Sequence, residues 1–77
     1  MAFRIGIDGG GTKTEGILLD CSGAIVARRL GPGCNPNVAG PESARRIVEG
    51  LITELAAEAG RLSPGAVITH THVYSAG

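Results

Sequence analysis

The stretch Asp8-Gly9-Gly10-Gly11-Thr12-Lys13-Thr14 decides how the chain is read. Before it, Phe3-Arg4-Ile5-Gly6-Ile7-Asp8 predicts a short buried strand. Three successive glycines cannot comfortably continue that strand, and they favour a turn with positive φ. Backbone N–H groups bared in such a turn can ring a phosphate, because glycine lets the oxygens approach closely. Thr12 and Thr14 add hydroxyl donors, and Lys13 adds a positive charge. Asp8, at the strand end, has the chemistry to hold a hydrated Mg²⁺. A plain hairpin needs one or two glycines and none of this surrounding chemistry.

Two commoner phosphate loops fail on spacing. A Walker A loop needs Gly-Lys-Ser/Thr in direct succession. Here Gly11-Thr12-Lys13-Thr14 is one residue out, and a strand follows where a helix belongs. A dinucleotide fingerprint needs a glycine at its sixth position. Counted from Gly9, that position is Thr14.

Outward from the turn, Glu15–Asp20 and Ala24–Leu30 predict two further strands, separated by the turn Asp20-Cys21-Ser22-Gly23. Asp first and Gly fourth suit that turn. Three strands joined by short turns predict an antiparallel meander. Gly31–Gly40 reads as a loop. Pro41 suits the first position of a helix. Ala44, Ile47, Val48, Leu51, Ile52, Leu55, Ala56 and Ala59 then form one apolar stripe at helical spacing. Gly60 is expected to stop the helix as its C′ residue. Arg61–Gly65 reads as a connection, Ala66–Tyr74 as a last strand, and Ser75-Ala76-Gly77 as the start of a turn. A strand reached through a helical crossover is expected to run parallel to its neighbour. The pattern is β-β-β-α-β, and one helix can cover only one face of such a sheet.

Composition narrows the function. A chain of 77 residues allows one domain at most. Seven basic and seven acidic side chains give zero formal charge, which argues against binding nucleic acid by phosphate neutralisation. Phe3 and Tyr74 are the only aromatics, too few for base stacking. A hydrophobic share of 43% with 18% charged residues is too apolar for a disordered chain. Cys21 and Cys34 make no disulfide framework, so a reducing, cytoplasmic setting is expected. The N-terminus lacks the apolar stretch of a signal peptide, and no run is apolar enough for a bilayer, so no membrane partner is expected. His70 and His72 share a strand face, but with the two cysteines they lack zinc-ligand spacing.

Asp-Gly-Gly-Gly-Thr-Lys-Thr-Glu, followed by two more strands and by Gly-Pro-Gly-Cys-Asn-Pro-Asn, is similar to the first phosphate region of the sugar kinase, heat-shock ATPase and actin superfamily. Within it, the chain resembles the N-acetylglucosamine kinase group, classed with the BadF/BadG/BcrA/BcrD ATPases, over nearly its whole length. The resemblance implies an α/β, ribonuclease-H-like (actin-like ATPase) fold with ATP held between two lobes. Residues 1–77 would be the N-terminal part of the first lobe, with no second domain. ATP and Mg²⁺ are the implied cofactors, and a small-molecule hexosamine is the implied substrate. A homodimer of the full-length protein is compatible with the resemblance. Asp8 matches the residue that organises Mg²⁺ through water. Gly10, Gly11 and Thr12 match the loop around the β- and γ-phosphates. Lys13 and Thr14 match a basic-polar pair beside it. Asn35 matches an asparagine that contacts the amino sugar, while Asn37 is read as a turn residue. Ser75-Ala76-Gly77 matches a small-residue turn after which the family's catalytic aspartate follows. No catalytic residue is therefore expected in this chain, and the 77-residue piece alone is expected to be inactive. Two other readings stand beside this one. One is an ATPase that activates a dehydratase or reductase through an iron–sulfur cluster. The other is a non-catalytic remnant that binds a partner through its bare sheet face.

Overall fold

The computed structural model describes residues 1–33 and 40–75. Its elements are β1 (Ala2–Gly9), β2 (Lys13–Leu19), β3 (Ile25–Pro32), α1 (Pro41–Leu62) and β4 (Val67–Ser75). They form a four-stranded mixed sheet in the order β3-β2-β1-β4, with one helix, so the class is α/β as expected. The meander pairs antiparallel, β1 with β2 and β2 with β3, and β4 joins β1 in parallel.

Alternation sets the faces. Phe3, Ile5 and Ile7 of β1 and Leu18 of β2 are buried on one side, as period-two patterning requires. α1 lies on that side across β1, β2 and β3. Leu51, Leu55 and Ala59 are its buried residues, with Ile47, Val48, Ile52 and Ala56 packed around them. Gly16 lets the helix come close: a Cβ there would stand 2.9 Å from a methyl of Leu55 and 3.1 Å from one of Ile7. Arg29 of β3 reaches Glu58 of the helix at 3.4 Å, and Glu58 also pairs with Arg61. The hydrogen bond from Arg61 comes first among the causes that hold the Glu58 carboxyl below its ordinary range.

The connections follow residue chemistry. In the β2–β3 turn, Asp20 Oδ1 accepts from Ser22 N (2.9 Å), Ser22 Oγ (2.6 Å) and Ala24 N (3.1 Å). Gly23 supplies the positive φ of 89° that the turn needs. These bonds, the Ser22 hydroxyl foremost, lower the Asp20 pKa from 3.8. After the helix, Ala66 N donates to Ser63 O (3.0 Å) across Pro64 and Gly65. Gly65 has φ 81°, which fits a turn with proline second and glycine third.

Most strand boundaries differ from the sequence expectation by one residue, and three boundaries differ by more. β2 begins at Lys13 rather than Glu15, and β3 runs on through Gly31 and Pro32, which had read as loop. Proline is tolerated there because β3 is an edge strand. The helix continues past Gly60 to Leu62. Gly60 has no positive φ, and the helix-closing bond is instead Ser63 N to Ala59 O, at 2.9 Å. No helix among the described residues is long and apolar enough to cross a membrane. On the sheet face away from α1, the exposed residues include Leu30 and Tyr74.

Gly50 and Gly60 are helical, exposed, and have open space where a Cβ would go. Gly50→Ala and Gly60→Ala are each expected to stabilise the chain by about 0.5–1 kcal/mol in denaturant unfolding. A loss of stability in Gly60→Ala would restore Gly60 as a left-handed stop.

Candidate functional site

The site is built by the pairing of β1 with β2. The ladder runs from Arg4↔Leu19 to Gly9↔Thr14, and Gly10 N donates to Lys13 O at 2.9 Å to close it. Gly11 and Thr12 alone form the tip. No turn or loop bond among the described residues claims their N–H groups. Among the described residues, those two amides are left to an anion. The Gly10 amide is committed to the hairpin.

The expected reason for the glycines is not the one found. Among the described residues, positive φ occurs only at Gly23, Gly40 and Gly65, so the turn needs no left-handed residue. Gly10 serves by lacking volume. A Cβ on Gly10 would meet the Lys13 carbonyl at 3.0 Å, while one on Gly11 would meet nothing within 4 Å.

Register then sorts the polar side chains. Asp8 faces Glu15 across the strands, and Lys13 lies two residues from Glu15, so all three share the face away from α1. With Gly9, Gly10 and Thr12 they line a hollow of about 300 Å³. Like charges directly opposite on a sheet repel. Arg28 relieves Glu15 at 3.2 Å, and the ion pairs among the described residues leave Asp8 and Lys13 out. An exposed carboxylate beside a second one suits a hard, hydrated dication, so this donor set fits Mg²⁺. A second hollow of about 160 Å³ adjoins it, lined by Gly6, Ile7, Asp8, Glu15, Ile17 and Tyr74.

Thr14 goes the other way. It is fully buried, and its hydroxyl donates to the Pro32 carbonyl at 2.8 Å. That bond ties the start of β2 to the end of β3, and it commits the hydroxyl that had been expected beside the phosphates. Glu15 was missed by reading the motif alone. The two-residue tip would have placed it opposite Asp8.

Asn35, Asn37 and Cys34 lie outside the described residues, as do Ala76 and Gly77. Cys21 is a free, exposed thiol in the β2–β3 turn, at the opposite end of β2 from the glycine tip. His70 and His72 stack with ring centroids 6.1 Å apart. No group of three or more His, Cys, Asp or Glu among the described residues could hold a metal ion. The candidate arrangement is Asp8, with Glu15 opposite it, acting through water.

The BadF/BadG/BcrA/BcrD ATPase family model matches residues 5–74, which takes in the glycine turn, β2, β3, the helix and most of β1 and β4. The chain belongs to that family. No curated protein matches it.

Thr14→Val keeps the shape of the side chain and deletes its bond to Pro32. It is expected to cost about 1 kcal/mol in unfolding free energy, with Thr14→Ser restoring much of it. A Thr14→Val chain as stable as wild type would remove the bond from the account.

Proposed function

From membership in that family we propose that the chain is the phosphate-binding part of an ATP-dependent kinase. The phosphoryl group passes from ATP to a hydroxyl of a hexosamine, N-acetylglucosamine or glucosamine. The observation that carries this is Thr12 of the hairpin tip, next to Gly11, at one hollow with Asp8 and Lys13, neither of which joins an ion pair among the described residues. Phosphoryl transfer asks the protein chiefly for positioning and charge neutralisation. The N–H groups of Gly11 and Thr12 receive β- or γ-phosphate oxygens, and Gly10 keeps the tip tight by its bond to Lys13. Lys13 offsets phosphate charge from the same face as Asp8. Asp8 would hold a hydrated Mg²⁺, and that ion would supply charge neutralisation at the phosphates. Thr14 supports the tip from inside rather than touching the nucleotide. Asn35 contacts the sugar. The group that accepts the proton of the sugar hydroxyl is assigned to no residue of this chain.

The proposal implies a small-molecule partner in the cytoplasm rather than nucleic acid or a membrane. The activator reading would need cysteines gathered for an iron–sulfur cluster. Cys21 lies at the other end of a seven-residue strand from the phosphate turn, roughly 20 Å away.

ADP release by the full-length protein separates the readings. The kinase reading expects release that needs both Mg²⁺ and a hexosamine. Sugar-independent release with an iron–sulfur chromophore would replace it with the activator. In Asp8→Asn, Mg²⁺-dependent turnover is expected to fall by about 10² or more, the order attached to losing a positioned charged group. Unchanged turnover would remove Asp8 from the site.

A further inference from the structure

The residue on which the turn most depends lies outside it. Gly33 follows β3 and rests against the tip. A Cβ on Gly33 would stand 2.2 Å from the Gly11 carbonyl oxygen, 2.6 Å from its carbon and 3.0 Å from the Thr12 nitrogen. Real Cβ atoms essentially never come within 3.0 Å, and here the obstacle is backbone, which cannot swing aside as a side chain would. The two segments would have to part by about 0.8 Å to reach that floor. Gly33 has no positive φ, so an alanine there is opposed by space alone and not by backbone conformation. Gly11, inside the tip, has no such constraint.

The contact is anchored on both sides. Pro32, next to Gly33, takes the buried Thr14 hydroxyl at 2.8 Å. Gly31 pairs with Thr14, and its Cβ position lies 3.7 Å from Ile47 and Leu51 of α1. Residues 31–33 therefore connect the helix, the start of β2 and the tip in a continuous set of close contacts.

We propose that Gly33 is a positioning residue for the phosphate turn: its missing side chain lets the end of β3 hold the Gly11 and Thr12 amides in the orientation that receives a phosphate. Gly33 does not itself touch the ligand. The phosphate part of this rests on the reading given under Proposed function; the steric joint does not. A displacement approaching 1 Å at a positioning group can cost about a hundredfold in function.

The test uses amide NMR on this chain with Mg²⁺-pyrophosphate as the probe. In wild type, a nuclear Overhauser contact between Gly33 Hα and the Thr12 amide is expected, and its absence overturns the joint whatever the variants do. In ligand-free Gly33→Ala, the amides of residues 10–13 should shift while those of α1 stay in place. In Gly11→Ala, the neighbouring amides should stay close to wild type. Affinity for Mg²⁺-pyrophosphate should fall about a hundredfold in Gly33→Ala. Turn amides of Gly33→Ala that coincide with wild type overturn the proposal, as does unchanged affinity. Shifted turn amides with no pyrophosphate binding to wild type would establish the joint but overturn its phosphate role and the reading it rests on.

Discussion

The hydrogen-bonded pairing of β1 with β2, closed by Gly10 N on Lys13 O, is the constraint from which the rest follows. It makes the tip two residues long. A tip of that length places Gly9 opposite Thr14 and Asp8 opposite Glu15. Because a strand alternates faces, Thr14 must then enter the core, and Asp8, Glu15 and Lys13 must leave it. Slipping β2 by one residue against β1 would bury Glu15 and Lys13 and expose Thr14. Leu18, fully buried on the same strand, resists that slip, since it would change faces with it.

The core also reaches the site through small residues. Gly16 admits Leu55 of the helix to the sheet, and Gly31 lies beneath Ile47 and Leu51, where a Cβ would make ordinary contact at 3.7 Å. Thr14 and Pro32 then join the packed layer to the hairpin tip by one buried hydrogen bond. The tip is thus held from beneath by the packed layer. That arrangement suits a site built from backbone N–H groups, because amides cannot be re-aimed one by one as side chains can. The ion pairs add little to this. Arg45–Glu49 is exposed on both sides, and such pairs contribute modestly.

Much of this was legible in the residues. The four strands, the helix and its apolar stripe follow from alternation, from the 3-4 spacing of Ile47 to Ala59, and from turn chemistry at Asp20–Gly23. What was not legible depended on partners distant in sequence. Gly60 looks like a stop because glycine commonly ends helices, but here the helix carries on to Leu62, and Ser63 closes it. Gly31 and Pro32 look like loop because neither favours a strand, yet the free edge of β3 costs the proline nothing, and Gly31 pairs with Thr14 in the ladder. The glycine run suggested positive φ, whereas the constraint proved to be volume, imposed on Gly10 by Lys13 and on the tip by Gly33. Thr14 looked like a ligand donor, and only the sheet register reveals its hydroxyl turned toward Pro32. Asn35 lies outside the described residues, so its role rests on resemblance alone.

The central claim is that the open amides of the hairpin tip, with Asp8 and Lys13 beside them, receive the phosphates of ATP. Residue-resolved amide shifts during titration of the chain with ATP, in the presence and absence of Mg²⁺, test it most directly. The account predicts saturable shifts at Gly11 and Thr12, with smaller ones at Asp8 and Lys13 that depend on Mg²⁺. Saturable shifts confined to other parts of the chain, or none at the tip at any ATP concentration, would contradict it.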